Sequence, residues 1–130
     1  MNLKQLLLSW GPVIFWCSVI FAFSSIPTLP KVGFIWWDFI IKKTAHITEY
    51  AILFFLTWRA VRKSRQLPVA SYQLLMILGI CFLYAISDEF HQSFVIGRTS
   101  TLRDVAFDLL GMGMAWYAIK KEWLPKKLYV

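Results

Sequence analysis

Charged residues are scarce in this 130-residue chain. They make up 16% of the sequence, whereas ordinary globular chains are about 25% charged, and 58% of the residues are hydrophobic. A chain this short forms a single domain. With a mean hydropathy of +0.58, the composition does not fit a soluble domain of this size. It favours a polytopic membrane protein.

Several enzyme motifs are also missing. The sequence has no phosphate-binding glycine loop, no dinucleotide-binding fingerprint, no Cys-x-x-Cys pair and no nucleophile elbow. His46-Ile-Thr-Glu49 lacks a second histidine at the position expected in zinc proteases. The two cysteines, Cys17 and Cys81, each fall in the middle of an apolar stretch. We expect them to be small packing residues rather than a disulfide or redox pair.

Acidic residues are outnumbered by basic ones, seven to 14, and the net charge is +7. The basic residues cluster at the ends of apolar stretches, which argues against nucleic acid as a partner. If both termini lie in the cytoplasm, nine basic residues lie inside and five outside. The positive-inside rule therefore predicts an N-in, C-in topology.

Four apolar stretches reach or approach the roughly 17–25 residues that a helix needs to cross a bilayer. They cover about 5–26, 44–61, 69–87 and 104–119. The first is longer than the apolar core of a signal peptide, so we expect an uncleaved helix. Only helices satisfy their own backbone polar groups segment by segment in lipid. The sequence thus predicts an all-α integral membrane bundle of four transmembrane helices, with residues 1–130 as one domain.

Two connecting segments have distinct compositions. Residues 62–68 are short and basic and predict a tight cytoplasmic hairpin. Residues 32–43 contain an aromatic group typical of the outer membrane interface, namely Phe34, Trp36, Trp37 and Phe39. We interpret this second segment as a surface-lying helix that leads into the second span.

Polar residues gather at three predicted helix ends, all on the outer face. Two sets are spaced i, i+3, i+4, which places each set on one helix face. The first set is His46, Glu49 and Tyr50, and the second is Asp88, His91 and Gln92. Glu89 lies beside the second set.

The fourth span has a stripe at i, i+4 and i+7 formed by Asp104, Asp108 and Gly111. The stripe has polar residues at its outer end and a small residue, Gly111, deeper in the span, which suits close contact with another helix. Ionisable residues within membrane spans are costly and usually mark functional sites. The three helix ends together therefore predict one polar site.

These residue types permit several kinds of chemistry. A carboxylate and a histidine can act as general base and acid, and the candidate catalytic residues are His46, Glu49, Asp88, Glu89, His91 and Asp104. Candidate substrate-binding residues are Tyr50, Gln92, Arg98 and Asp108, with the guanidinium suited to a phosphate or carboxylate.

Two other interpretations of the same residues stay open. One is a divalent cation site, zinc or manganese, built from His46, Glu49, His91 and an aspartate. The other is a purely structural ion-pair network, in which the carboxylates pair with Lys43, Arg98 or Arg103. The sequence identifies neither a metal nor a cofactor.

The arrangement resembles the VanZ-like family of small bacterial membrane proteins in two blocks. The first block, Lys43-Thr-Ala-His46-Ile-Thr-Glu49-Tyr50, is similar to the family's Lys-x-x-His-x-x-x-Tyr. The second runs from Asp88-Glu89 through Gln92 and Gly97-Arg98 to Asp104 and Asp108. The chain departs from the family pattern at Phe54, Ile96 and Asp108, where glycine, proline and asparagine are common.

The resemblance implies a multi-pass protein of the bacterial cytoplasmic membrane. The family is named for a member linked to low-level teicoplanin resistance. We therefore expect a site that acts on or binds an envelope lipid or cell-wall component at the extracytoplasmic face. Expected partners are membrane lipids, a lipid-linked envelope precursor or an amphiphilic glycopeptide, and an oligomer is compatible with the sequence.

Three function classes remain open at this point. The first is an enzyme that modifies an envelope component. The second is a binding or shielding protein without chemistry, in which the aromatic residues Phe34–Phe39 matter more than the carboxylates. The third is proton- or cation-coupled transport, which would need an oligomer because four short spans are few.

Overall fold

The computed structural model describes residues 2–28, 35–64 and 70–128. Four helices follow one another, α1 (Leu3–Ser24), α2 (Ile35–Ser64), α3 (Ala70–Gln92) and α4 (Leu102–Lys120), before a short 3-10 helix at Lys126–Leu128. No strand occurs within these ranges. The predicted all-α class with four helices is confirmed.

Two helices are longer than the predicted spans. The helix α2 begins at Ile35 rather than near residue 44, and α3 continues to Gln92 rather than ending near residue 87. The described part of the aromatic segment forms the start of α2, where Trp36 and Trp37 are exposed. Most of the predicted hairpin at 62–68 and the aromatic residue Phe34 lie outside the described residues.

The helix α2 is the centre of the bundle. It contacts α1, α3 and α4, while α3 also contacts both α1 and α4. The largest fully buried apolar side chains come from all four helices and include Tyr50, Leu53, Phe54, Ile20, Ile77 and Met112. Burial of these side chains holds the other three helices around α2.

Close contact between α2 and α4 depends on a glycine. A Cβ atom at Gly111 would overlap the backbone carbonyl of Ile47. Together with the burial of Asp104 and Asp108 on the same helix, this confirms the predicted stripe for close helix contact. Small residues permit such backbone approach between helices.

Within the part of the chain that the structure describes, two helices are long and apolar enough to cross a membrane, α1 over Leu3–Ser24 and α3 over Tyr72–Gln92. In their most apolar stretches only 17% and 28% of the residues are buried inside the protein. Exposed apolar side chains such as Phe15 and Leu83 face outwards instead. This supports a membrane protein in which α1 and α3 are candidate spans, whereas the four crossings and the N-in, C-in topology stay predictions.

Candidate functional site

Three ionisable side chains from different helices meet inside the bundle. They are His46 of α2, Glu89 of α3 and Asp108 of α4, and one potential ligand atom from each lies within 4.8 Å of the others. Their exposed fractions are 8%, 6% and 0%. We call these three residues the central triad. The central position of α2 brings together residues that are far apart in the sequence.

Within the central triad, His46 and Asp108 form a direct hydrogen bond. The distance from His46 Nδ1 to Asp108 Oδ1 is 2.9 Å. When Asp108 is ionised, it accepts this bond from Nδ1–H, and the other ring nitrogen, Nε2, is left as an acceptor. Among the described residues no hydrogen bond engages Nε2.

Glu89 connects the triad to the start of α4. Its Oε2 atom accepts a hydrogen bond from Ser100 Oγ at 2.9 Å and another from the Thr101 backbone N–H at 3.1 Å. One carboxylate oxygen therefore fixes the segment before α4. The other oxygen, Oε1, is buried without a hydrogen bond.

Asp104 lies one turn before Asp108 and has a structural set of contacts. Its Oδ1 pairs with the Lys43 ammonium, and its Oδ2 accepts a hydrogen bond from Thr101 Oγ1 at 2.9 Å. These contacts join the outer ends of α2 and α4. The ion-pair interpretation of the sequence therefore describes Asp104 well, because both of its oxygens have protein partners.

Asp88 and Gln92 form a second buried polar group, on α3. The Gln92 side-chain amide donates to Asp88 Oδ2 at 2.9 Å and to Ser24 Oγ at 3.1 Å. Its carbonyl oxygen accepts a hydrogen bond from Arg98 at 3.3 Å. Gln92 thus links α3 to the end of α1 and to the segment after α3.

Arg98 holds the carboxyl end of α1. Its Nε donates to the carbonyl of Ile26 at 3.1 Å, and one terminal nitrogen donates to the carbonyl of Phe23 at 2.6 Å. Nearby, Thr28 Oγ1 donates to the carbonyl of Gly97, which has a positive φ of 78°. The predicted role of Arg98 in holding an anion stays a prediction, since several of its donors already bind protein groups.

Four buried polar atoms have no hydrogen-bond partner among the described residues: Tyr50 Oη, Asp88 Oδ1, Glu89 Oε1 and Asp108 Oδ2. Each such atom costs roughly 1–3 kcal/mol of desolvation. Native proteins keep few of them, and those that persist usually have a functional reason. All four belong to predicted site residues.

The second histidine is not brought into the central triad. His91 Nε2 lies 2.9 Å from Ser25 Oγ, and its ring stacks on Phe21 with centroids 4.4 Å apart. These contacts turn His91 toward α1. The structure therefore brings only His46 of the two histidines together with Glu89 and Asp108.

A cavity of about 250 Å³ lies beside His46 at this end of the bundle. Charged and polar side chains from all four helices and the segment after α3 line it, including Ser24, Lys42, Lys43, Glu49, Gln92, Arg98 and Asp104. Apolar walls come from Phe23, Ile26 and Ile41. The cavity is large enough for a small polar group.

An open apolar groove of about 470 Å³ adjoins this cavity. Its walls include Trp16, Trp37 and Ile40. It shares three lining residues with the cavity, Ile41, Ala45 and Glu49. We refer to the first space as the cavity and to the second as the groove.

Several residues of the site escaped the analysis of the sequence. Ser100 and Thr101 bind Glu89, and Lys42 lines the cavity. The Thr101-x-x-Asp104 spacing resembles a capping box and was a usable signal for the start of α4. Nothing local marks Lys42, because its position depends on how α1 and α3 pack against α2.

Comparison with protein families gives one match across most of the chain. The family model described as VanZ/LLP1 matches residues 9–124. The match covers all four helices except the first residues of α1. Comparisons with curated proteins and with solved structures give no match.

Proposed function

The chain belongs to the VanZ/LLP1 family, and from that premise we propose that it is a multi-pass membrane protein that binds the head group of an amphiphilic envelope component in the cavity. The site lies at the extracytoplasmic face in this proposal. The ligand is an anionic membrane lipid, with a lipid-linked cell-wall precursor or an amphiphilic glycopeptide as related ligands. Binding of this kind would alter susceptibility to glycopeptides such as teicoplanin.

The adjacency of the cavity and the groove carries this proposal. A polar space bounded by Lys42, His46 and Arg98 shares a wall with an apolar surface bounded by Trp16 and Trp37. An amphiphile needs both surfaces side by side, one for its head group and one for its chain. An open groove along α2 suits an acyl chain that remains in contact with the bilayer.

The charges of the cavity favour an anionic head group. Three cationic residues, Lys42, Lys43 and Arg98, face two carboxylates, Glu49 and Asp104. Lys43 is paired with Asp104, and Arg98 binds carbonyls of α1. Lys42 is exposed and has the most freedom to contact a ligand.

The test compares lipid retention by the purified full-length protein in native mass spectrometry, with phosphatidylglycerol and phosphatidylcholine as probes. We expect the wild type to retain more phosphatidylglycerol. Lys42→Gln should lower that preference, whereas Arg103→Gln, at an exposed position outside the cavity, should not. Equal retention of the two lipids by the wild type would refute anionic head-group binding.

A matched pair of tryptophans tests the groove. Trp37 lines the groove, while its neighbour Trp36 is 76% exposed and does not. Trp37→Ala should reduce retention of both lipids, and Trp36→Ala should leave it unchanged. Similar losses in the two variants would show that lipid is retained by tryptophans at the membrane interface in general and not by the groove.

The His46–Asp108 hydrogen bond favours a second candidate, chemistry on the bound head group. A histidine oriented by a carboxylate can serve as a general base or acid. Mass spectrometry separates chemistry from binding alone. It compares envelope lipids and cell-wall fragments from cells that express the wild type or Glu89→Gln at matched membrane levels. A mass change present only with the wild type supports an enzyme. No change, with a shared drug-sensitivity phenotype, supports binding or shielding.

A further inference from the structure

We infer that the central triad of His46, Glu89 and Asp108 binds a divalent transition-metal cation, of the Mn²⁺ or Zn²⁺ class, inside the bundle. This ligand set contains Glu89 in place of the Glu49 and His91 considered from the sequence. The inferred metal site rests on the positions of three side chains and not on lipid binding. Either proposal can therefore fail without the other.

The first argument is the buried acidic charge of Glu89 and Asp108. The ion-pair partner of Asp108 is His46, which is charged only when it is protonated. Among the described residues, no lysine or arginine forms an ion pair with Glu89 or Asp108. Taking an ion out of water costs several kcal/mol in real proteins unless it is paired. A divalent cation between two carboxylates would offset that cost, because it supplies two positive charges where the side chains converge.

The second argument is the presence of free ligand atoms. Glu89 Oε1 and Asp108 Oδ2 are both buried and without hydrogen-bond partners. They belong to side chains that are more than nine-tenths buried and that converge with His46 to within 4.8 Å. Ligands about 2.0–2.2 Å from a metal lie roughly 3–4.5 Å from one another, so a shift of about an ångström completes the site. The cation would take the place of the proton between His46 Nδ1 and Asp108.

The donor types select the class of metal. Imidazole nitrogen with carboxylate oxygens suits zinc and manganese, whereas calcium takes oxygen ligands alone. Three protein ligands also leave at least one coordination position for water or a ligand oxygen, as in catalytic rather than structural zinc sites.

The surrounding contacts hold one of the ligands, Glu89, in place. The Oε2 atom of Glu89 is fixed by Ser100 and Thr101, which leaves Oε1 as the oxygen without a hydrogen-bond partner among the described residues. Hydrogen bonds of this kind orient metal ligands and raise metal affinity. Fixation by surrounding groups distinguishes the triad from an exposed group of acidic residues.

The experiment uses the purified full-length protein, stripped with a chelator and then titrated with Mn²⁺ alone. Free Mn²⁺ is measured by electron paramagnetic resonance. We expect one ion per chain, and Glu89→Gln and Asp108→Asn should each weaken binding by more than about tenfold. The matched control is Asp38→Asn, which alters an exposed carboxylate of α2 outside the triad and should bind as the wild type does.

The two histidines provide a check that does not require the carboxylate variants to fold. Pulsed electron paramagnetic resonance of the Mn²⁺-loaded wild type should show ¹⁴N coupling from an imidazole. His91→Ala should keep this signal and His46→Ala should lose it. A stripped wild type that binds no Mn²⁺ or Zn²⁺ at micromolar concentration overturns the inference. So does binding that persists in both Glu89→Gln and Asp108→Asn.

Discussion

Gly111 of α4 lies against the backbone carbonyl of Ile47 in α2, with no room between them for a methyl group. The obstacle is backbone, so it cannot move aside as a flexible side chain would. Gly111→Ala should therefore push α4 away from α2 and destabilise the protein by about 1–3 kcal/mol. Thermal unfolding in detergent measures the effect.

Gly113 is the control for this prediction, because a Cβ atom there would meet nothing within 4 Å. Both glycines belong to the same helix. Gly113→Ala should stabilise the protein by about 0.5–1 kcal/mol through better helix propensity. Equal melting temperatures for the two variants would mean that the α2–α4 contact is looser than described.

Two neighbouring tyrosines differ in whether their hydroxyls are bonded. Tyr84 Oη donates to the carbonyl of Cys17 at 2.6 Å, whereas Tyr50 Oη is buried without a partner. Tyr84→Phe should cost about 1 kcal/mol, because it leaves that carbonyl with one bond fewer. Tyr50→Phe should leave the stability of the ligand-free protein unchanged or raise it.

In the proposed binding role of Tyr50, a bound molecule supplies the partner that its hydroxyl lacks among the described residues. Tyr50→Phe should weaken lipid retention while unfolding is unaffected, and calorimetry beside native mass spectrometry shows both. A clear loss of stability in Tyr50→Phe would contradict this, since it would reveal a protein partner for the hydroxyl.

Arg98 fastens the segment after α3 to the end of α1. Removing its charge-assisted hydrogen bonds to Phe23 and Ile26 in Arg98→Ala should cost about 1.5–3 kcal/mol. Hydrogen exchange at residues 24–28 should accelerate. Lys cannot reproduce the guanidinium fork, so Arg98→Lys should recover only part of the protection.

The control is Arg103→Ala, because Arg103 is exposed. Its exchange pattern at residues 24–28 should match that of the wild type. If Arg98→Ala also exchanges like the wild type there, the guanidinium is free for a ligand, as the sequence suggested.

The N-in, C-in topology is open to a direct measurement. In a chain with Cys17 and Cys81 replaced by alanine, Lys4→Cys and Lys121→Cys should react with an impermeant thiol reagent only after the membrane is opened. Ser93→Cys, between α3 and α4, should react in intact cells. The reverse pattern would place the site on the cytoplasmic side.

The number and type of helices could be predicted from the apolar stretches, and so could the bounds of α1 and α4 to within two residues, but the start of α2 and the end of α3 could not. The helix α2 begins at Ile35, nine residues before the predicted span, and its first turns contain Asp38, Lys42 and Lys43. Hydropathy identifies residues that tolerate lipid. Helical hydrogen bonding also continues through polar residues, so the helix extends beyond the end of the apolar stretch.

The site could be predicted as a set of residue types but not as a geometry. A helix turns by about 100° per residue, so His91 lies about 60° to one side of Asp88 while Glu89 and Gln92 lie on the other. The i, i+3 spacing leaves open which side faces the bundle. Packing against α2 and α4 decides it, and it selects Glu89 over His91 as the neighbour of His46.

One oxygen of Glu89 accepts hydrogen bonds from Ser100 and Thr101, and the same carboxylate lies beside His46 and Asp108 in the central triad. A carboxylate is a rigid planar group, so its two oxygens cannot move independently. Any change that pulls one oxygen inward also strains the bonds that anchor the segment before α4. A change at the triad should therefore be transmitted through Glu89 to the segment before α4. It can be observed there at the backbone amide of Thr101.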